Sequence, residues 1–406
     1  MMKKKSVYAA VIGGGAAGML CAIRAAENHR DKKIVILEKA DRVGKKLLVT
    51  GNGRCNLSHV GADEKSYHGE GSDALINILF SKYNSEVVLR HFHGLGLLTH
   101  ADSENRVYPL SNQASSVLDV LRKRMAELNI EEICNADIQS IQKTAEGYEI
   151  AAADMRIYAK KCVAAFGGKA DYAGRESGGR ELLRSLGLNL TKLTPSLSPV
   201  KVRSDLLRSL KGIRAQAQAS LVQNHHIIKT ERGEVQFTEN ALSGICIFNL
   251  SREANKGGCE ISLNLLPECT DKQIRNEIYA RVQRDPDAPA SEIFTGMFHK
   301  NLGLAILKAS GIKPSLPCKD IFDKEIKFIC RHISDWRFTC EESRDFKKAQ
   351  VTAGGVRLSE IDPRTFESKR HRGLYILGEA LDIDGDCGGY NLQFAFASGL
   401  CAGDSL

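Results

Sequence analysis

An α/β fold built on a parallel sheet is what this sequence predicts, and three observations carry the prediction. Residues 7–12, VYAAVI, form a short apolar run of the kind that makes a strand buried on both faces. A glycine-rich turn follows at once, Gly13-Gly14-Gly15-Ala16-Ala17-Gly18, and then the helical pattern MLCAIRAAEN. A second apolar run, KIVILE, ends in an acid, Glu38, 20 residues beyond Gly18. The glycine spacing G-x-G-x-x-G is a weak signal alone. Strand, turn, helix, strand and terminal acid within about 32 residues make a strong one.

Each residue of this unit has a physical task. Gly13 permits the tight turn, Gly15 lets backbone approach a pyrophosphate, Ala16 and Ala17 open the helix, and Gly18 lets the helix pack on the strand. The helix N-terminus offers N–H donors and the positive end of its dipole to phosphates. Glu38 suits the hydroxyls of an adenosine ribose and repels a 2′-phosphate, so the turn wants FAD or NAD rather than NADP. The next stretch, KADRVGKKLLVTGNGRCNLS, adds Gly44, Gly51 and Gly53, with Arg42, Lys45, Lys46 and Arg54 interleaved. A loop this rich in glycine and cations suits a long ligand whose second half is wrapped. FAD is therefore preferred to NAD.

A chain of 406 residues predicts two or three domains. With 43% hydrophobic and 26% charged residues it has an ordinary globular composition, and no run of about 18 apolar residues predicts a transmembrane helix. The opening lysines and apolar residues imitate a secretory signal, but Gly13, Gly14 and Gly15 interrupt it, and the cytoplasm is the expected compartment. The 12 cysteines are scattered without a C-x-x-C pair, as expected of buried small residues in a reducing compartment. The only close histidines, His91-x-His93 and His225–His226, lack cysteine or carboxylate company, so no metal is expected. Net charge is +8, and residues 1–54 hold all of the excess, with 12 Lys/Arg against 4 Asp/Glu. Farther on, only residues 200–235 are locally basic, with 7 Lys/Arg and 3 Asp/Glu, which is the best case for an RNA partner. Residues 195–265 show short turn-punctuated runs such as ASLVQ and HHIIK, expected as strands. Residues 270–312 have helical spacing with a polar break at 285–289.

Four stretches, GKKLLVTGNGRCNLS, GEVQFTENALSG, VTAGGV and LYILGEALDIDGDCGGYNLQFAFASG, resemble the BaiN/YhiN-like family of FAD-dependent oxidoreductases, also labelled aminoacetone oxidase-like. The resemblance runs through nearly the whole chain. It implies a Rossmann-like FAD-binding domain built from both chain ends, 1–190 and 346–406. A β-rich middle domain over 191–267 and 316–345, and a small helical insertion over 268–315, complete it. On this basis the cofactor is expected to touch Lys39, Lys45, Lys46, Thr50, Gly51, Asn52, Gly53, Cys55 and Asn56 after Glu38. Gly167 and Gly168 belong to the glycine-rich stretch 166–179, where the chain is expected to pass close to FAD. Gly378 and Glu379 would meet the ribityl chain. Gly388 and Gly389 would let backbone reach the isoalloxazine, with the helix beginning at Asn391, Leu392 and Gln393 aimed at its N1–C2=O edge. Donors there stabilise the negative charge of the reduced ring. The chain departs from many relatives in having Cys387 for a threonine and Glu239 for a histidine.

Flavin performs the electron transfer, and the protein orients the substrate. No second G-x-G-x-x-G follows a predicted strand, so NAD(P)H, as transient electron donor, must visit the flavin face directly. Cys55 and Cys387 are too far apart in sequence to suggest a redox pair. The proton donor is open among Cys387, Tyr390, Tyr108 and Arg106, chosen by proximity to the flavin motifs alone. The resemblance implies three activities: reduction of a C=C bond conjugated to a carbonyl, with a 3-oxo-Δ4,6 bile-acid steroid favoured; reduction of uridine to dihydrouridine in 23S ribosomal RNA; and amine oxidation by O₂. A small-molecule substrate is favoured, ribosomal RNA is the alternative partner, and no membrane partner is expected.

Overall fold

The computed structural model of the chain describes residues 3–170 and 179–406. They form two compact units, Met1–Leu193 with Gln350–Leu406, and Thr194–Ala349.

The first unit is organised by β1 (Lys3–Ile12), α1 (Ala16–Asn28) and β2 (Ile34–Leu37). All four residues of β2 are buried, as a strand covered on both faces requires. β1 pairs in parallel with β2, Ile12 opposite Leu37, and along most of its length with the strand Met155–Ala164. The outer edge of Met155–Ala164 is shared. Its first half takes the hairpin strand Tyr148–Ala152 antiparallel, while Cys162–Ala164 pair in parallel with Leu374–Ile376 from the far end of the chain. With Glu131–Ile133 beside β2 and Ile138–Lys143 beyond the hairpin, a seven-stranded sheet results. Both chain ends thus build one Rossmann-like domain.

Helix α1 buries Met19, Leu20, Cys21 and Ile23 and packs on the C-terminal helix Tyr390–Ser405. Gly399 and Gly403, one turn apart, allow the close crossing. A Cβ on Gly399 would lie 2.6 Å from the Ala17 carbonyl oxygen, and one on Gly403 would lie 2.6 Å from Arg24 Cβ. The last turn is tied down by the hydroxyls of Tyr8, to the Leu406 carbonyl, and Tyr375, 3.0 Å from the Ser405 carbonyl oxygen.

The second unit holds a closed barrel of six strands, in the order Val200–Arg203, Ala241–Ser243, His226–Phe237, Arg214–Gln223, Glu260–Asn264 and Trp336–Cys340. The runs ASLVQ and HHIIK are the inner ends of one long hairpin, turned by Asn224 and His225 at φ 49° and 65°, the pair of positive φ values that a two-residue hairpin favours. Helices Asp271–Arg284, Lys300–Ala309 and Asp323–Ser334 follow, the first opened by a capping box from Thr270 and Gln273. The polar break falls just after the first helix, whose C-cap is Asp285. One apolar core joins Phe237, Trp336 and Phe338 of the barrel to Ile278, Ile306 and Ile329 of the helices. The helices expected as an insertion share the barrel's core. Among the described residues no helix is long and apolar enough to cross a membrane, and no group of three or more His, Cys, Asp or Glu side chains could hold a metal ion.

Candidate functional site: a flavin cradle in the first unit

The glycine turn leaves the C-terminal end of β1. Helix α1 starts with Gly15 as its N-cap, and no side chain satisfies that end. A Cβ on Gly15 would meet nothing within 4 Å, so the middle glycine faces open space. Gly13 and Gly18 serve packing instead: Gly13 presses on the Ala165 backbone and Gly18 on the Gly13 carbonyl. An uncapped helix end facing open space receives a pyrophosphate well. At the end of β2, Glu38 Oε2 accepts the Gly14 N–H at 2.7 Å and Oε1 accepts the Ala40 N–H at 2.8 Å. The carboxylate is held in place, and each oxygen keeps acceptor capacity for a ribose hydroxyl. This donor and acceptor set fits the adenosine diphosphate half of FAD.

The cations read from sequence as ligand donors divide. Lys46 reaches Glu379 Oε2 at 2.6 Å, inside the site. Lys45 turns to Asp41 at 2.5 Å, four residues back, and Lys39 to Asp137 at 3.2 Å. Exposed carboxylates nearby offer these two lysines partners beside the glycine turn. Arg54 lies over the Tyr108 ring, 4.7 Å from its centroid. Between them the loop is wound left-handed at Gly51, Asn52, Gly53 and Cys55, with φ from 55° to 81°. Two of its side chains are committed to the loop itself. Thr50 Oγ1 donates to the Leu47 carbonyl at 2.7 Å, and the Cys55 thiol is fully buried. Burial pushes that thiol up to about 12 against a smaller opposing effect of its Thr50 hydrogen bond, so it carries no thiolate chemistry near neutrality.

Glu379 sits between Lys46 and the Thr352 N–H, which Oε1 accepts at 2.8 Å. Gly168 packs directly on this pair, since its Cβ would lie 2.6 Å from Glu379 Oε1. Gly167 faces open space, and Gly378 donates its N–H to Ser398 Oγ at 3.2 Å. Thr352 also accepts the Ala170 N–H at 2.7 Å. Sequence reasoning missed Thr352, although it lies in VTAGGV. Of the stretch 166–179, residues 171–178 lie outside the described residues.

The glycine pair expected at the redox end lies at the start of the C-terminal helix. Gly389 is its N-cap at φ 99°, with no side chain capping the end. The Cβ directions of the glycine pair are filled by protein. A Cβ on Gly389 would fall onto the Ser58 carbonyl oxygen and 2.6 Å from the Asn56 amide, and one on Gly388 would lie 3.1 Å from the Tyr390 ring. The glycines admit the strand Ser58–His59 against the helix start. With its amide oriented by its partners, Asn56 donates to the Ser58 and Val107 carbonyls at 3.0 and 3.2 Å and accepts the Gly389 N–H at 3.1 Å. Fully buried Ser58 donates to Gln393, also fully buried, at 2.7 Å. Asn391 is likewise committed, clamping the N–H and C=O of Gly385 at 2.8 Å each. Leu392 packs against the core. What this helix end offers a flavin is backbone N–H groups and its dipole, not these side chains.

Three of the four candidate proton donors come together here, and the structure adds His59. His59 stacks on Tyr390, ring centroids 4.5 Å apart at 20°, and stands opposite Arg106 in the sheet register. Arg106 is held by Asp102 at 2.8 Å and Glu104 at 3.0 Å. Cys387 lies near enough for the Arg106 charge to act on its thiol, although burial dominates and pushes it up. Tyr108, two residues along from Arg106, stacks with His100 at 6.0 Å and is buried.

Residues 7–405 match the HI0933-like protein Rossmann domain family. The chain belongs to that family. As a member of the HI0933-like family it is an FAD-dependent oxidoreductase. A similar relative is the "3-dehydro-bile acid delta(4,6)-reductase" of Clostridium scindens, 35% identical over 399 residues, covering 97% of each chain. The "ribosomal RNA dihydrouridine synthase" of Escherichia coli is 26% identical over 410 residues, covering 98% of each. Among solved structures, 3-ketosteroid delta1-dehydrogenase from Sterolibacterium denitrificans superposes with a TM-score of 0.52 at 11% identity, over 99% of this chain and 100% of that one. At that identity it shows a shared fold only.

Proposed function

We propose that this HI0933-like protein reduces a C=C bond conjugated to a carbonyl, with NAD(P)H as electron donor and a 3-oxo-Δ4,6 bile-acid steroid as favoured substrate. The observation that carries the reading is the 35% identity, end to end, with the bile-acid reductase of Clostridium scindens. Bound FAD supplies the hydride that adds at the carbon β to the carbonyl. The chain's part is to hold the cofactor between the α1 N-terminus with Glu38 and the start of the C-terminal helix. Among the described residues no second glycine turn of the α1 kind follows a strand of the sheet, so the nicotinamide would share the flavin face with the substrate.

The second reading, uridine reduction in 23S ribosomal RNA, is favoured by the Escherichia coli relative. Its chemistry is the same, because the uracil C=C is also conjugated to a carbonyl. The charge distribution argues against it. Of the basic residues in 200–235, Arg203, Lys211, Arg214, Lys229 and Arg232 are each ion-paired with a glutamate. In residues 1–54, Lys5, Lys33, Lys39, Lys45 and Lys46 are paired as well. These ten of the 19 Lys/Arg in the two segments are thus already engaged by carboxylates. The test is anaerobic bleaching of the flavin by NADH or NADPH, then reoxidation by an unsaturated 3-oxo steroid, alongside mapping of dihydrouridine in 23S rRNA after gene deletion. We expect steroid-dependent reoxidation without nucleic acid. Loss of one dihydrouridine with no steroid turnover would reverse the order of the two readings.

A further inference from the structure

Nothing in the motifs singles out His59, yet the structure prepares it for one task. Its strand follows directly from the Asn56 and Ser58 contacts that anchor the start of the C-terminal helix. Gly388 brings backbone within reach of the ring: a Cβ there would lie 3.7 Å from His59 Cδ2. One face of the imidazole is covered by Tyr390, itself fixed where the Tyr67 hydroxyl donates to its carbonyl at 2.9 Å. Nδ1 is sealed from solvent and has no hydrogen-bond partner. The residue as a whole is only partly buried, which leaves Nε2 as the polar atom open to a ligand.

The sealed nitrogen selects the tautomer. A buried N–H without an acceptor is worse tolerated than a buried lone pair. The ring therefore keeps Nδ1 as the lone pair and carries its proton on Nε2, the open side. The Arg106 guanidinium opposite is already engaged by Asp102 and Glu104.

We propose that His59 donates a hydrogen bond from Nε2 to the carbonyl oxygen of the conjugated acceptor, polarising the C=C bond toward hydride addition. This inference rests on the reductase reading above. The reduction places a hydride on the β-carbon and a solvent-derived proton on the α-carbon. His59 keeps its own proton throughout and stabilises the charge that builds on the oxygen between the two events.

The experiment uses the FAD-loaded enzyme, His59→Phe, which keeps an aromatic ring against Tyr390, and His59→Gln, which restores an N–H donor. Each is bound anaerobically to 4-androstene-3,17-dione, and the infrared C=O stretch of the conjugated ketone is recorded. The wild type should move that stretch to lower frequency, His59→Phe should leave it as in apolar solvent, and His59→Gln should recover part of the shift. Flavin content and melting temperature should stay unchanged in both variants. Reoxidation by a 3-oxo-Δ4,6 steroid should slow by about 100-fold in His59→Phe, the usual effect of losing one oxyanion donor. An equal stretch shift in wild type and His59→Phe overturns the assignment of His59 and leaves the reductase reading standing. A wild-type enzyme that neither shifts the ketone nor reduces the dienone overturns the reading and the assignment together.

Discussion

Replacing Gly389 by alanine tests why a glycine stands at the start of the C-terminal helix. The new methyl group would fall on the Ser58 carbonyl oxygen and lie 2.6 Å from the Asn56 amide, at a residue whose φ is 99°. The closer of these contacts is about 1 Å inside van der Waals distance, so the strand Ser58–His59 must withdraw. Overpacking of this kind costs about 1–3 kcal/mol, and a side chain held at positive φ adds roughly 1–2 kcal/mol. Withdrawal also breaks the Asn56–Gly389 hydrogen bond, worth about 1 kcal/mol. A loss of about 3–6 kcal/mol is a large part of the roughly 5–15 kcal/mol that holds a domain folded. The melting temperature should fall by about 6–24 °C for a unit of this size. Thermal unfolding followed by circular dichroism, with flavin content measured in parallel, gives the answer. A variant melting within about 2 °C of wild type, but with displaced or missing flavin, would refute the reasoning. It would mean that the glycine faces the cofactor and not the strand.

Three further outcomes follow from the same geometry. Glu38→Arg should strip FAD from the purified protein, lowering the 450 nm absorbance per chain at least tenfold, because a cation replaces the acceptor held by Gly14 and Ala40; normal occupancy would remove Glu38 from the site. Ser58→Ala leaves the buried Gln393 side-chain carbonyl without its donor, for a loss of about 1–3 kcal/mol and roughly 2–12 °C in melting temperature. Burial pushes the thiols of Cys55, Cys162 and Cys401 up to about 12. Because these folded-state values exceed the unfolded ones, their stabilisation is complete below pH 8.5–9 and declines above it, by about 1.4 kcal/mol per thiol per pH unit. Denaturant titrations at pH 8 and 10 should show the decline, and a flat profile would count against buried, protonated thiols.

What the sequence made legible is the part of the site held by local rules. Strand, turn, helix and Glu38 lie within a few dozen residues, and their apolar and glycine spacings dictate each step, so the cradle at Gly15 could be anticipated. The start of the C-terminal helix was legible as a glycine-led helix end but not as a packing site. Its partners, Asn56 and Ser58, are more than 300 residues away, and no periodicity reports such a contact. His59 was invisible for the same reason: its meaning comes from Tyr390 and from an unpaired nitrogen, neither of which spacing reveals. Spacing also could not report the partners of Lys39 and Lys45, which pair with Asp137 and Asp41. In the second unit helical spacing was legible, but not that the apolar stripe it creates is buried on the barrel.

The divided outer edge of Met155–Ala164 sets a schedule for the growing chain. Cys162–Ala164 cannot gain their parallel neighbour until Leu374–Ile376 have been made, about 210 residues later. At roughly 5–20 residues per second a ribosome needs about 10–40 s to cover that distance. During the wait the whole of Thr194–Ala349 emerges with a core of its own, while β1 and the glycine turn stay part of an unfinished sheet. α1, whose N-terminus cradles the cofactor, also lacks Gly399 and Gly403 to close against until almost the last codons. Flavin loading is thereby postponed to the end of synthesis, and a chain truncated before residue 374 should leave the ribosome with a folded barrel and no yellow colour.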